Sequence, residues 1–131
     1  MIGGSLKTGA IIGEASLQDQ QLLYDFGINL GIAFQIQDDI LDVYGDPATF
    51  GKNIGGDILC NKKTFLLISA LNKAEGQEKY ELLQWLKTTD QSEKKVQAVT
   101  NLYNSLEVKE IARNKMEEYY LLAIKALNSV D

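Results

Sequence analysis

The stretch Gly31–Asp46, GIAFQIQDDILDVYGD, decides how this chain is read. Its apolar residues, Ile32 to Phe34, Ile36, Ile40, Leu41 and Val43, keep the three-and-four spacing of an α-helix with one face in a core. Asp38, Asp39 and Asp42 interrupt that pattern. On a helix Asp38 and Asp42 share a face one turn apart, Asp39 lies about 100° around from Asp38, and Gln35 sits a turn earlier. From Gln18 through Gly51 there is no Lys or Arg, although the stretch also holds Asp19, Asp25 and Asp46. Two carboxylates ~6 Å apart repel by roughly 3 kcal/mol at an effective dielectric near 20. On a solvated helix the penalty falls to about 0.2–0.5 kcal/mol per pair. The triplet is therefore either an acidic solvated face or a site whose positive charge comes from outside the protein. Asp holds its oxygens close to the backbone, which suits a divalent ion better than a solubilising face does.

Outward from the triplet, the pattern stays helical. Ser16 is a good N-cap for a helix from about Leu17 to Tyr44, carrying Leu22, Leu23, Phe26, Leu30, Ala33, Phe34, Leu41 and Tyr44 at helical spacing. Gly27 and Gly31 inside it cost roughly 1 kcal/mol each against Ala, so a close helix contact or a ligand approach is the expected compensation. Before it, about Ser5 to Ala15 reads as a helix of small residues, buried by neighbours on several sides. Gly45, Asp46 and Pro47 end the long helix, and a glycine-rich loop, FGKNIGGDI, follows. Further helices are expected at about Asn61 to Lys73, Gln77 to Thr88 (Tyr80, Leu83, Trp85 and Leu86 inward), Ser92 to Ser105 and Glu107 to Asn128. Gly76 breaks the first of these, and Asp90 and Ser92 both offer N-caps. Nothing reads as strand, repeat or low complexity. The class is all-α, a single helical domain over residues 1–131.

Composition narrows the chemistry. The chain has 131 residues, 45% of them hydrophobic and 24% charged, which suits one soluble core. A net charge of −5 without a basic cluster excludes nucleic acid as the main partner. There is no His and only one Cys, Cys60. Ser-His-Asp and Cys-His catalysis, a disulfide within the chain and any His- or Cys-built zinc site are thereby excluded. A metal here must be a hard, oxygen-liking ion such as magnesium or manganese. The start, MIGGSLKTGAIIGEA, lacks a basic n-region and a long apolar core, and no run is long enough to span a membrane, so the chain reads as cytoplasmic.

Lys52, Asp57, Lys62 and Lys63 lie in and just after the glycine-rich turn that follows the acidic helix. Magnesium on carboxylates with lysines nearby is the arrangement that holds a diphosphate, because both neutralise its oxygens. Any one of these lysines alone would be ordinary surface charge.

GIAFQIQDDILDVYGD followed by FGKNIGGDILCNKKTFLL resembles the second aspartate-rich motif of the trans-isoprenyl diphosphate synthases, the polyprenyl synthetase family. The likeness is close over roughly Gly27 to Leu71. It implies an isoprenoid-synthase helical bundle, of which this chain is part. It also implies Asp38, Asp39 and Asp42 as magnesium ligands, directly or through water, and Lys52 and Lys62 as contacts to the substrate diphosphate. Gln35 would line the pocket beside the developing allylic cation, and Asp57 would support the metal waters and the loop. The reaction implied is ionisation of an allylic diphosphate, attack by isopentenyl diphosphate, and loss of a proton, as in isoprenoid biosynthesis.

The family's other aspartate-rich motif has no counterpart in these residues. Arg113 is the only arginine, so the basic stretch that holds isopentenyl diphosphate is missing too. Lys7-Thr8 stands too close to Gln35 to match the family's Lys-Thr pair and reads as helix surface. The chain thus resembles the C-terminal part of a synthase. It is expected to bind an allylic diphosphate or pyrophosphate, to be inactive alone, and to form homo-oligomers through exposed helix faces. The competing readings are a non-catalytic helical interaction protein and a magnesium-dependent helical nucleotide pyrophosphatase. The pyrophosphatase would favour paired E-x-x-E and E-x-x-D helices, and the single D-D-x-x-D preceded by F-Q fits that pattern poorly.

Overall fold

The computed structural model describes residues 2–46, 48, 54–88 and 92–131. Among them there are seven helices and no strand: α1 (Ile2–Ile12), α2 (Leu17–Tyr44), α3 (Gly56–Leu59), α4 (Phe65–Lys73), α5 (Gly76–Lys87), α6 (Glu93–Ser105) and α7 (Val108–Asn128). The all-α expectation holds. The residues cluster into two compact units, one of Met1–Gln35 with Asn114–Asp131 and one of Ile36–Arg113.

In the first unit α1 starts and ends earlier than the sequence suggests. Glu14, at φ 59°, leaves helical geometry, and the Ala15 N–H returns to the Ala10 carbonyl at 2.9 Å. Ser16 caps α2 as expected, its Oγ accepting the Asp19 N–H at 3.1 Å. Gly27 is explained by a close approach. A Cβ there would stand 2.5 Å from the Gly3 Cα, and one at Gly3 would stand 2.8 Å from the Tyr24 carbonyl oxygen. No such contact constrains Gly31, where a Cβ would be 4.0 Å from the nearest side-chain atom. The expectation that α1 is enclosed on several sides does not hold: only Gly3 and Ala10 are buried in it, and Ile12 is 78% exposed. Small residues let α1 and α2 touch, and that same smallness leaves the large side chains turned outward.

The second unit holds a deeper core. Ile36, Ile40 and Val43 form the buried stripe of α2, and Leu66, Leu82 and Val108 are fully buried. Each such side chain contributes about 1.5–3 kcal/mol relative to exposure. Helix α6 packs against α3, α4 and α5. On α5 the buried residue is Leu82, while Tyr80 and Leu83 are exposed, so the inward face is Leu82, Trp85 and Leu86 rather than the expected set.

Helix α4 begins four residues later than the sequence suggests. Asn61 takes φ 54°, and Thr64 caps the helix by accepting the Leu67 N–H on its Oγ1 at 3.1 Å. Glu107, at φ 58°, separates α6 from α7. Among the described residues no helix is long and apolar enough to cross a membrane.

Candidate functional site

The three aspartates of the triplet have different surroundings. Asp38 is exposed and has no hydrogen bond or ion pair among the described residues. Asp39, with a side chain 15% exposed, accepts the Phe65 N–H on Oδ2 at 3.1 Å. That N–H is one of the donors at the start of α4 that lack a partner within the helix, so the carboxylate lies where the helix dipole favours negative charge. Asp42 is only 6% exposed. Its Oδ2 accepts the Asp57 N–H at 2.9 Å, and its backbone carbonyl accepts the Gly55 N–H at 2.7 Å.

Asp42 therefore grips the Gly55-Gly56-Asp57 turn with both main chain and side chain. Gly55 makes the turn possible. It sits at φ 90°, and a Cβ there would come within 2.5 Å of the Val96 side chain. The turn brings Asp57 into place, and the backbone then returns through the Lys62 N–H to the Asp57 carbonyl at 2.9 Å.

Among the described residues, Lys62 brings a positive charge to this cluster. Its Nζ lies 4.0 Å from Asp39 Oδ1 and 3.9 Å from Asp57 Oδ1. The separation sits at the outer limit of an ion pair, and the lysine side chain is 59% exposed, so each pairing contributes about 0–1 kcal/mol. Lys62, one of the downstream lysines expected to bring positive charge to the acidic helix, thus stands beside it. Neither i+3 nor i+4 supplies that charge, but a residue beyond the following turn does.

Tyr103 of α6 was not anticipated by the sequence reading. It is buried, and its phenol is pushed above the ordinary tyrosine range, first by burial and then by Tyr44 and the charges of Asp57 and Asp39. Burial likewise raises Tyr44, whose hydroxyl donates to Asn104 Oδ1 at 2.9 Å. Nothing in its sequence context separates Tyr103 from a core aromatic. Only its place near two carboxylates does.

Asp38, Asp39, Asp42, Asp57 and Lys62 all lie in the second unit. Gln35, exposed on α2, is the last α2 residue of the first unit. Lys52 lies outside the described residues, as do Pro47 and Asp90. Lys63 is exposed. Thr8 donates its hydroxyl to the Gly4 carbonyl of its own helix, and Lys7 lies 5.6 Å from the centre of the Tyr24 ring.

Among the described residues no three acidic side chains gather into a ready-made metal cluster. The donor set still suits magnesium, which is usually held by one or two carboxylates with waters and substrate phosphates rather than by an all-protein cage. Asp38 is exposed and Asp39 Oδ1 faces Lys62, whereas Asp42 Oδ2 and Asp39 Oδ2 are engaged by backbone N–H groups.

This arrangement can be set against known proteins. The sequence pattern of the polyprenyl synthetase family matches residues 1–103. The chain belongs to that family. Over 130 residues it is 37% identical to a geranylgeranyl diphosphate synthase of Sulfolobus acidocaldarius, covering 99% of this chain and 39% of that protein. A crystal structure of a geranylgeranyl pyrophosphate synthase superposes with a TM-score of 0.88 at 35% identity, covering 99% of this chain and 42% of the other. Another, from Corynebacterium glutamicum, complexed with isoprenyl diphosphate and magnesium, gives a TM-score of 0.83 at 30% identity. That match covers 94% of this chain and 35% of the other. The chain thus spans about two fifths of the length of the first of these relatives.

Proposed function

We propose that this chain carries the second magnesium and diphosphate half-site of a prenyltransferase that joins an allylic diphosphate to isopentenyl diphosphate. The observation that carries the reading is the convergence of Asp39, Asp57 and Lys62, braced by backbone donors, beside an exposed Asp38. That the Corynebacterium relative holds isoprenyl diphosphate and magnesium supports it.

In this reading Asp38 and Asp39 Oδ1 hold the ion, and Asp42 serves the site through the turn it fixes. Bound magnesium would supply charge that stabilises the departing diphosphate. Lys62 adds a positive charge on the same side. Its ties to Asp39 and Asp57 are weak enough for an incoming diphosphate, with more charge than either carboxylate, to draw it away at small cost. Lys52 is assigned to the same anion, and Gln35 to the wall beside the allylic carbon, both from the family resemblance. The braced turn matters because charges already in place need no reorganisation when the carbon–oxygen bond breaks.

The half-site is proposed to need the remainder of a synthase for chain elongation. Self-association is part of the same proposal: Ile11, Ile12, Leu17 and Leu121 are each more than half exposed, and a second copy would remove apolar area from water. Sedimentation velocity across a dilution series tests that point, and a concentration-independent monomer would refute it.

The half-site itself is tested by calorimetric titration of the chain with inorganic pyrophosphate, with and without magnesium. Saturable binding that needs magnesium is expected, and Asp38→Ala should abolish it. Equal binding without magnesium, or an unchanged Asp38→Ala variant, would refute the assignment.

A further inference from the structure

The buried polar side chains of the described residues are Asp42, Thr64 and Lys95. Asp42 grips the turn and Thr64 caps α4, but Lys95 has no role in the site as described above. It lies on α6 and is 1% exposed. Burying an ammonium costs several kcal/mol even after relaxation, and a Leu or Met would fill the same space without that cost. Its Nζ donates to the Asn61 Oδ1 at 2.7 Å, a short, charge-assisted bond to a neutral acceptor.

Asn61 is the residue immediately before Lys62. It holds φ 54°, a left-handed conformation that Asn tolerates better than most residues. Its Nδ2 donates to the Leu86 carbonyl of α5 at 3.2 Å, and its own N–H reaches the Ile58 carbonyl at 3.2 Å. The side chain is therefore fastened at both ends, to α6 through Lys95 and to α5 through Leu86. Asn61 and Lys95 line a narrow crevice together with Asp57, Lys62 and Tyr103.

We infer that Lys95 is a positioning residue for diphosphate binding: by holding the Asn61 amide it fixes the left-handed turn that aims Lys62 between Asp39 and Asp57. The inference rests on the half-site reading above and deepens it. A purely stabilising role would not need a charged group here. A positioning role does, because an amide held by an ammonium on one side and a carbonyl on the other has one orientation only. Lys95 then acts through Asn61 and touches no substrate.

The test titrates the full chain with magnesium and inorganic pyrophosphate, using wild type, Lys95→Met, Asn61→Gly and the double variant. Gly keeps the left-handed backbone available while removing the amide. Each single change is expected to weaken binding about tenfold, equivalent to about 1.4 kcal/mol. The double variant should be no weaker than either single, because both remove the same link. Wild-type affinity in Lys95→Met would overturn this inference and leave the half-site standing. Independent, additive losses would also overturn it, since Lys95 would then act by another route. No binding by wild type would overturn the half-site reading and this inference together. If Lys95→Met fails to fold, Asn61→Gly decides alone, and wild-type affinity in that variant overturns the proposal.

Discussion

Replacing Asp42 and Asp38 separately by alanine should split the triplet into a structural and a binding part. In Asp42→Ala the Asp57 N–H loses its carboxylate acceptor at a position where Asp42 is 6% exposed and water has poor access. A hydrogen bond to a charged group contributes about 1.5–3 kcal/mol, and an amide left unsatisfied costs about 1–3 kcal/mol, two views of the same loss. The better helix propensity of Ala returns about 0.5 kcal/mol. The expected net loss is therefore about 2 kcal/mol, a large share of the roughly 5–15 kcal/mol that holds a domain together. Asp38 is exposed, and its removal relieves like-charge repulsion, so Asp38→Ala should stay within about 0.5 kcal/mol of wild type. Urea unfolding followed by circular dichroism, without magnesium or phosphate, measures both. A loss in Asp38→Ala equal to that in Asp42→Ala would refute the division of roles. So would an Asp42→Ala variant as stable as wild type, because the grip on the turn would then contribute nothing.

Three further outcomes are expected. Lys62→Gln should leave unfolding in buffer nearly unchanged, because its pairings are exposed, yet weaken magnesium-dependent pyrophosphate binding about tenfold in calorimetry. Gly27→Ala should destabilise the first unit by about 1–3 kcal/mol, since the new methyl would meet the Gly3 backbone, and hydrogen exchange should rise first in α1. The raised phenol of Tyr103 sets the sign of an alkaline effect. The unfolded chain releases that proton near the ordinary value of 10.0 while the folded chain retains it, so stability is intact below about pH 10 and falls as the pH rises above it. Tyr103→Phe should flatten that decline, measured as unfolding midpoints against pH, and an equally steep profile would count against the buried environment.

The long helix was legible because its signals are local: a Ser16 cap, helical spacing and a Gly45 stop need only neighbouring residues. The start of α4 was not. Asn61-Lys62-Lys63 has helix-tolerant composition, and the boundary at Thr64 is set partly by Asp39, a residue from another helix that takes the Phe65 N–H. The inward face of α5 was misread for a related reason. Tyr80 and Leu83 carry as much apolar area as Leu82, and only packing within the unit selects among them. Of the site, the residue types and their order were readable in the stretch around the triplet. That Lys62 returns to meet Asp39 and Asp57 was not, because the geometry depends on the left-handed turns at Gly55 and Asn61. Lys95 was the least legible. In S-E-K-K it looks like solvated charge, and nothing local marks one of two adjacent lysines for burial.

The spacing D-D-x-x-D invites the view of three equivalent ligands, and the gradient of burial argues otherwise. A carboxylate that must release and rebind an ion as substrate arrives and product leaves has to keep solvent access, which Asp38 has. One that holds a loop in register must exclude water, because a backbone donor on an exposed acid is replaced by solvent at little cost. Asp42 meets that second demand, and Asp39 stands between, with one oxygen on the Phe65 amide and the other toward Lys62. Helical periodicity alone does not produce this ordering, because positions 38 and 42 share a face one turn apart. Asp42 is buried where the Gly55-Gly56-Asp57 turn lies against it, whereas Asp38 on the same face is exposed. In the proposed half-site one helix then carries both an anchor, Asp42, and a ligand, Asp38. Moving the third acid off position 42 would remove the acceptor of the Asp57 N–H, and so would disturb the turn before it disturbed the charge count.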